Sequence, residues 1–121
     1  MSEEYCCETT GHESLERLKK EMPPDDTFVR MADFFKIFGD STRVKIIFTL
    51  IDGEKCVGEI AKSLDMTQSS ISHQLRTLKA SSLAKVRKEG KHAFYSLCDA
   101  HARKIYEMSL EHMNEKRGAN V

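Results

Sequence analysis

Two short amphipathic segments joined by a tight connection constrain the fold of this chain more than any other feature. The first runs from Cys56 to Leu64, and the second runs from Gln68 to Ala80 after Thr67, a residue suited to capping a helix. Each segment places its apolar residues on one face at helical spacing. Asp65-Met66 leaves room only for a turn between them. The pattern predicts two consecutive helices packed on a common core.

A β-hairpin is predicted directly after the second helix. Ser81-Ser82 ends that helix, and Ala84-Lys85-Val86-Arg87 then alternates small or apolar residues with charged ones. Ala93, Tyr95 and Leu97 alternate in the same way beyond the polar tip Glu89-Gly90-Lys91. Two helices, a tight turn and a hairpin form the layout of a winged helix-turn-helix. The predicted fold class is therefore mainly α with a small β-hairpin.

The rest of the chain divides around this unit. With 121 residues, one structural domain is expected. We predict a mobile N-terminal arm with a short helix over residues 1–24, ended by Pro23-Pro24. The winged helix-turn-helix domain, including a dimerising C-terminal helix, is predicted over residues 25–117, and a disordered tail over residues 118–121.

Charge is distributed unevenly, although the net charge is zero. Residues 1–26 hold eight acidic and three basic residues, whereas residues 62–92 hold seven basic and two acidic ones. The basic block suits a polyanion, although solvated surface charge is a commoner cause of such runs. The longest apolar stretch, Ile46 to Ile51, is far shorter than the roughly 20 residues of a membrane helix. A soluble intracellular protein with no membrane contact is expected, and its four cysteines are interpreted as thiols or metal ligands.

Double-stranded DNA is the predicted partner of the second helix and the hairpin. In a winged helix-turn-helix the second helix enters the major groove, and the wing lies against phosphates or the minor groove. Amide and hydroxyl groups can contact base edges, whereas basic groups mainly position the protein on phosphates. Besides Thr67 at the helix start, the candidates for base contact are Gln68, Ser69, Ser70, His73 and Gln74. The candidates for phosphate contact are Arg76, Lys79, Lys88, Lys91 and His92. Any one of them could instead be ordinary surface, but the whole set favours DNA.

Four candidate metal ligands lie near the C-terminus: Asp99, His101, His112 and Glu115. On one helix over residues 99–116, the two histidines would be about 16 Å apart along the axis. That distance is too large for one ion. An antiparallel second copy, in a register where facing residue numbers sum to 213 or 214, would bring His101 to the partner's His112 and Asp99 to the partner's Glu115.

The same helix carries an apolar seam between these candidates. Positions His101, Ile105, Met108, His112 and Glu115 step by four and three, which indicates helix-to-helix contact in a homodimer. Two imidazoles and two carboxylates suit Zn²⁺ and tolerate Co²⁺ or Ni²⁺. The alternative interpretation is a pair of packed histidines with Asp99 as a helix cap, which Asp99 is expected to be in either case.

Four motifs carry a resemblance to a known family: Phe38-Gly39-Asp40-Ser41-Thr42-Arg43, Cys56-Val57-Gly58-Glu59-Ile60-Ala61, Gln68-Ser69-Ser70-Ile71-Ser72-His73-Gln74-Leu75 and Gly90-Lys91-His92-Ala93-Phe94-Tyr95. Over about residues 28–116 the chain resembles the ArsR/SmtB family of metal-sensing bacterial repressors. The resemblance implies a homodimeric cytoplasmic repressor that releases operator DNA when a metal binds. The four C-terminal candidates match the family's inter-subunit zinc site.

A departure from the family pattern concerns soft metals. Members that sense arsenite or cadmium often carry Cys-Val-Cys where this chain has Cys56-Val57-Gly58. The resemblance implies a possible second site that joins the N-terminal arm to the short helix, with candidate ligands Cys6, Cys7, His12, Cys56 and Glu59. Thiolates there would favour cadmium or lead. A free-thiol arm without a defined metal is the alternative.

We therefore expect a metal-responsive transcriptional repressor and not an enzyme, with zinc as the effector and cadmium, lead, cobalt or nickel as possible ones. The main alternative is a thiol-based redox or soft-metal sensor that uses Cys6, Cys7 and Cys56 on the same scaffold. A small metalloenzyme is disfavoured because four protein ligands would close the zinc site. A zinc-buffering protein would leave the basic helix without a role.

Overall fold

A computed structural model describes the chain from His12 to Ala119, with side chains from Glu13 to Lys116. The described residues divide into two compact units, one ending at Ala32 and the other beginning at Asp33. The predicted arm before His12 and the end of the predicted tail lie outside the described residues. The elements are α1 His12–Glu21, α2 Asp25–Ile37, α3 Ser41–Ile51, β1 Lys55–Cys56, α4 Val57–Leu64, α5 Gln68–Ala80, β2 Ala84–Glu89, β3 His92–Leu97 and α6 His101–Ala119.

The first unit contains α1, the short helix predicted before Pro23-Pro24. Glu13 in its first turn and Lys19 and Lys20 in its last turn complement the helix dipole. Its apolar residues Leu15 and Leu18 are exposed.

The second unit is built on a core that α3, α4 and α5 share. The residues that are completely buried come from these three helices: Ile46, Ile47, Ile60, Ile71, Leu75 and Leu78. The inner faces predicted for the two short amphipathic segments are therefore confirmed. Phe48 on α3 faces away from this core. Its side chain is 56% exposed and contacts Tyr106 of α6, with ring centroids 5.6 Å apart.

Helix caps determine where the elements of the helix-turn-helix begin. The Asp40 carboxylate accepts the backbone N–H of Arg43 at 3.0 Å, and the Thr67 hydroxyl accepts that of Ser70 at 3.1 Å. Asp65 ends α4 in a left-handed conformation, with φ of 53°. The connection between α4 and α5 is therefore only three residues long, which holds α5 close against α4.

A three-stranded antiparallel sheet with strand order β1-β3-β2 forms the wing and its base. The predicted hairpin is confirmed, with Ala84 opposite Leu97 and Glu89 opposite His92. Gly90 turns the chain with φ of 62°, a conformation that glycine adopts without strain. The third strand, β1, was not predicted, and the assignment of Cys56 to the short helix was wrong. A two-residue strand is too short to show an alternating pattern.

The C-terminal helix α6 packs on α3 but buries little of itself. Among its described side chains only Ala102 is buried. The helix begins at His101, and Asp99, two residues before it, accepts the backbone N–H of His101, so Ala100 and not Asp99 occupies the N-cap position. No helix in the described part of the chain is long and apolar enough to cross a membrane.

Candidate functional site

The outer face of α5 is polar and positively charged, and it carries no acidic residue. Its inner face is anchored by Ile71, Leu75 and Leu78, so the helix cannot rotate without losing core packing. Most of the predicted contact residues are exposed on it, namely Gln68, Ser69, His73, Arg76 and Lys79, whereas Ser70 is half-buried. A helix of this width fits the major groove of DNA. The face supplies hydrogen-bonding groups for base edges and cations for phosphates.

Gln74 is placed apart from this set. Its side chain is half-buried, and its Oε1 accepts a hydrogen bond from Arg43 Nη1 at 3.1 Å. A bidentate contact with adenine needs both the oxygen and the nitrogen of a glutamine amide. In this structure the amide oxygen of Gln74, one of the two atoms that such a contact would use, is already bonded to Arg43.

The wing presents its lysines freely but holds its arginine. Lys88, Lys91 and His92 are exposed at the tip, as predicted. Arg87 donates from Nη2 and Nε to the Glu54 carboxylate, at 2.7 and 3.1 Å, and from Nη1 to Glu89. It also lies 4.9 Å from the centre of the Phe94 ring.

The electrostatics of this cluster follow from the bidentate contact. The hydrogen bonds from Arg87 hold the pKa of Glu54 below its usual range. The two carboxylates in turn raise the pKa of Arg87. Because the Glu54 and Glu89 carboxylates both pair with Arg87, the net positive charge of the wing comes from its exposed lysines, Lys85, Lys88 and Lys91. Nothing in the sequence near Arg87 indicates this role, because Glu54 lies 33 residues away.

At the start of α6, Asp99 and His101 form a pair. Asp99 Oδ1 accepts the backbone N–H of His101 at 2.9 Å and lies 3.0 Å from His101 Nδ1. The backbone N–H, followed by the imidazole, lowers the pKa of Asp99. For Asp99 and His101 to hold the same ion, the metal must bind Nδ1, the ring nitrogen beside Asp99, with the proton on Nε2, because a metal on Nε2 would lie on the far side of the ring.

His112 and Glu115 lie further along α6, both exposed. Among the described side chains, no three His, Cys, Asp or Glu residues of a single protomer are close enough to hold a metal ion. One chain thus brings together Asp99 and His101 but not the whole predicted set. The imidazole and carboxylate donors fit zinc by their chemistry, and the shared site stays a prediction that needs a second copy.

The predicted soft-metal residues are described only in part. Glu59 Oε1 accepts the backbone N–H of Cys56 at 3.0 Å, and this bond lowers the pKa of Glu59. Cys56 is a half-buried free thiol. A Cβ atom added at Gly58 would lie 3.9 Å from Cys56 Sγ, an ordinary contact distance. Space for a second side chain therefore exists there. Cys6, Cys7 and the His12 side chain lie outside the described residues.

The chain matches the family model described as bacterial regulatory protein, arsR family, over residues 40–86. It is 38% identical over 117 residues to a cadmium resistance transcriptional regulatory protein CadC homolog of Staphylococcus aureus, covering 95% of this chain and 96% of the relative. It is also 32% identical over 103 residues to a transcriptional repressor SmtB homolog of a Synechocystis strain, covering 85% and 78%.

A similar solved structure supports the fold. It is the homodimeric winged helix-turn-helix DNA-binding domain of a possible ArsR-family regulator from Mycobacterium bovis. The TM-score is 0.69 at 23% identity, and the match covers 75% of this chain and 84% of the other. The winged helix-turn-helix architecture is thereby confirmed.

Proposed function

This chain belongs to the ArsR family of bacterial regulatory proteins, and from that premise we propose that it is a homodimeric transcriptional repressor that releases operator DNA when a divalent metal binds. The family consists of DNA-binding transcription regulators and not of enzymes. The observation that carries the proposal is the acid-free outer face of α5, which its buried inner face holds in place, together with a wing that exposes Lys85, Lys88 and Lys91.

Operator DNA would be bound by two copies of this surface. Each α5 would enter a major groove, so the operator should contain two half-sites about 34 Å apart or a multiple of that distance. Exposed Gln68, Ser69 and His73 would contact base edges, and the basic residues of α5 and the wing would contact phosphates. We place this protein in the bacterial cytoplasm, where operator DNA is found.

The metal would be held between two protomers by Asp99 and His101 of one chain and the partner's His112 and the partner's Glu115. Bound zinc would supply a link between the two C-terminal helices. Within the chain, α6 contacts α3 through Tyr106 and Phe48, and α3 shares the core with α5. A shift of α6 can therefore reach the DNA-contacting helix through packed side chains.

Two effector classes follow from the donor sets. The histidine and carboxylate set favours zinc, with cobalt and nickel as weaker fits, and the relative from S. aureus bears the name of cadmium resistance. Cadmium or lead would suit a thiolate site that includes the half-buried free thiol of Cys56. A thiol-based sensor on the same scaffold is therefore the second candidate.

The test is a zinc titration of operator binding by the wild type and by His101→Ala and His112→Ala variants. We expect both variants to bind DNA within about threefold of the wild type without metal, because neither residue lies near α5, and to show no zinc-induced release. Cys56→Ser serves as the matched control and should respond as the wild type does. If both histidine variants respond fully and Cys56→Ser does not, the thiol sensor replaces the zinc sensor.

A second measurement tests the coupling itself. Linkage requires operator DNA to weaken zinc binding by the factor by which zinc weakens operator binding. Zinc affinity should therefore be measured with and without operator. Equal affinities would contradict metal-controlled release.

A further inference from the structure

Arg43 connects three helices through one side chain. Its Nε donates to the carbonyl of Ile37 at 2.9 Å, and its Nη2 donates to the carbonyl of Lys36 at 3.3 Å, both at the end of α2. Its Nη1 donates to Gln74 on α5 at 3.1 Å. Arg43 itself lies in the first turn of α3, where its backbone N–H is held by Asp40. The guanidinium therefore joins the end of α2 and the beginning of α3 to the middle of α5.

The charge of Arg43 is balanced by the α2 terminus and not by a carboxylate. None of the salt bridges in the described part of the chain involves Arg43. The last carbonyls of a helix carry partial negative charge and have no partner within the helix. Arg43 satisfies the carbonyl of Ile37 and adds a longer bond to that of Lys36, which also accepts the backbone N–H of Gly39 at 3.0 Å. A planar guanidinium can make these bonds and the one to Gln74 together, which a lysine ammonium cannot do in this geometry.

Gln74 faces the body of the protein more than the solvent. It is half-buried and shares its face of α5 with Ile71, Leu75 and Leu78, which lie three residues before it, one after it and four after it. Its neighbours His73 and Arg76 are exposed. The bond to Arg43 spans 31 residues of sequence, so it is a tertiary contact and not a local one.

We propose that Arg43 and Gln74 form one positioning unit that sets the orientation of α5 for operator recognition. Gln74 contributes to specificity by holding the helix, and Arg43 acts through it. This inference rests on the proposed DNA-binding function. It assigns Gln74 a role different from the base contact that its place in the helix suggested.

The experiment is a double-mutant cycle on operator specificity with Arg43→Lys, Gln74→Met and the double variant. Arg43→Lys keeps the positive charge but loses the planar guanidinium that donates to several oxygens at once. Gln74→Met keeps the side-chain length but loses the amide oxygen that accepts from Arg43. We expect each single variant to lower the ratio of operator to non-specific DNA affinity by about tenfold, as loss of a hydrogen bond to a charged group allows. The double variant should lose no more than either single variant.

Gln68→Met is the matched control, because Gln68 is an exposed glutamine on the same helix. Its effect should add to that of Arg43→Lys, and it should relax preference only at the bases it contacts. Arg43→Lys and Gln74→Met should instead relax the same set of base positions as each other. The salt dependence of binding should stay unchanged in both, because no phosphate contact is removed.

Amide hydrogen exchange of the free protein provides a readout that needs no DNA. Arg43→Lys and Gln74→Met should both speed exchange in α5, whereas Gln68→Met should not. Additive effects on specificity, or relaxation at one base by Gln74→Met alone, would overturn the positioning role. Unchanged exchange in both variants would overturn it as well. If the wild type discriminates no operator, the proposed function fails, and the exchange data still decide whether the pair holds α5.

Discussion

Helices α5 and α6 have a similar mixture of apolar and polar residues but place them in different surroundings. On α5, Leu75 is 0% exposed at the centre of the core. On α6, Met108 is 69% and Met113 58% exposed. Apolar side chains at this level of exposure along one helix indicate a surface that another molecule covers. The DNA-contacting helix is thus complete within one chain, whereas α6 is not.

This difference separates recognition from regulation. The groups on α5 are placed by the fold of one protomer, so they are in position whether or not an effector is present. Three of the predicted zinc ligands lie on α6 and Asp99 lies two residues before it, and in the proposed site each protomer would supply only half of the ligands to one ion. A metal can therefore regulate DNA binding by changing how two protomers are arranged, without altering the side chains that contact DNA.

The largest expected effect tests whether the two helices differ in this way. Leu75→Ala should lower the free energy of unfolding by about 2–5 kcal/mol, since it leaves a cavity in a fully buried site. Met108→Ala should change it by less than about 0.5 kcal/mol at concentrations where the chain is monomeric. Urea denaturation of the two variants measures both. In sedimentation, Met108→Ala should instead weaken the dimer. A stability loss in the monomer equal to that of Leu75→Ala would show that the exposed face of α6 is packed within one chain.

An intermediate effect is expected within the DNA-contacting half itself. Lys91→Ala should reduce the slope of log affinity against log salt by about 0.9, because one phosphate contact is lost. Arg87→Met should change that slope less than Lys91→Ala does, since Arg87 donates to Glu54 and Glu89 and is not free to bind a phosphate, but it should lower the affinity because both carboxylates lose their cation. Anisotropy titrations from 50 to 200 mM salt would measure the slopes. A larger slope change for Arg87→Met than for Lys91→Ala would contradict the charge assignment in the wing.

The smallest expected effect concerns acid stability of the wing. The bond from Arg87 lowers the pKa of Glu54 from its ordinary value of 4.5. The ion pair therefore contributes stability above pH 4.5, and this contribution disappears as the pH falls through the lowered value in the folded protein. The melting temperature of the wild type should fall more steeply with acid than that of Glu54→Gln. Arg87→Met removes the cause and should resemble Glu54→Gln, and a wild-type slope matching both variants would contradict the assignment.

Much of the α5 half could be predicted because its signals are local. The capping residues Asp40 and Thr67 lie three residues from the N–H groups they accept, and the inner face of α5 repeats every three or four residues. Gly90 marks the turn of the hairpin directly. Periodicity and capping act over a few residues, so they remain visible in a sequence.

The features that could not be predicted depend on contacts between distant residues. Arg87 and Glu54 are 33 residues apart, and Arg43 and Gln74 are 31 apart. Nothing in the local pattern of either arginine indicates which distant oxygen it meets. For the same reason the polarity of Gln74 is visible in the sequence, whereas its bond to Arg43 is not. The proposed metal site would depend on contacts between two chains, which no pattern within one sequence specifies.

The strand order β1-β3-β2 leaves β2 as an open edge of the sheet. Four of its six residues, Lys85, Arg87, Lys88 and Glu89, are charged. Open edges can pair with the edges of other sheets and cause aggregation, and charged side chains on an edge oppose such pairing. The residues that suit the wing to a polyanion thus also help keep concentrated protein in solution. Variants that neutralise the wing should therefore be checked by light scattering before a loss of DNA binding is attributed to a lost phosphate contact.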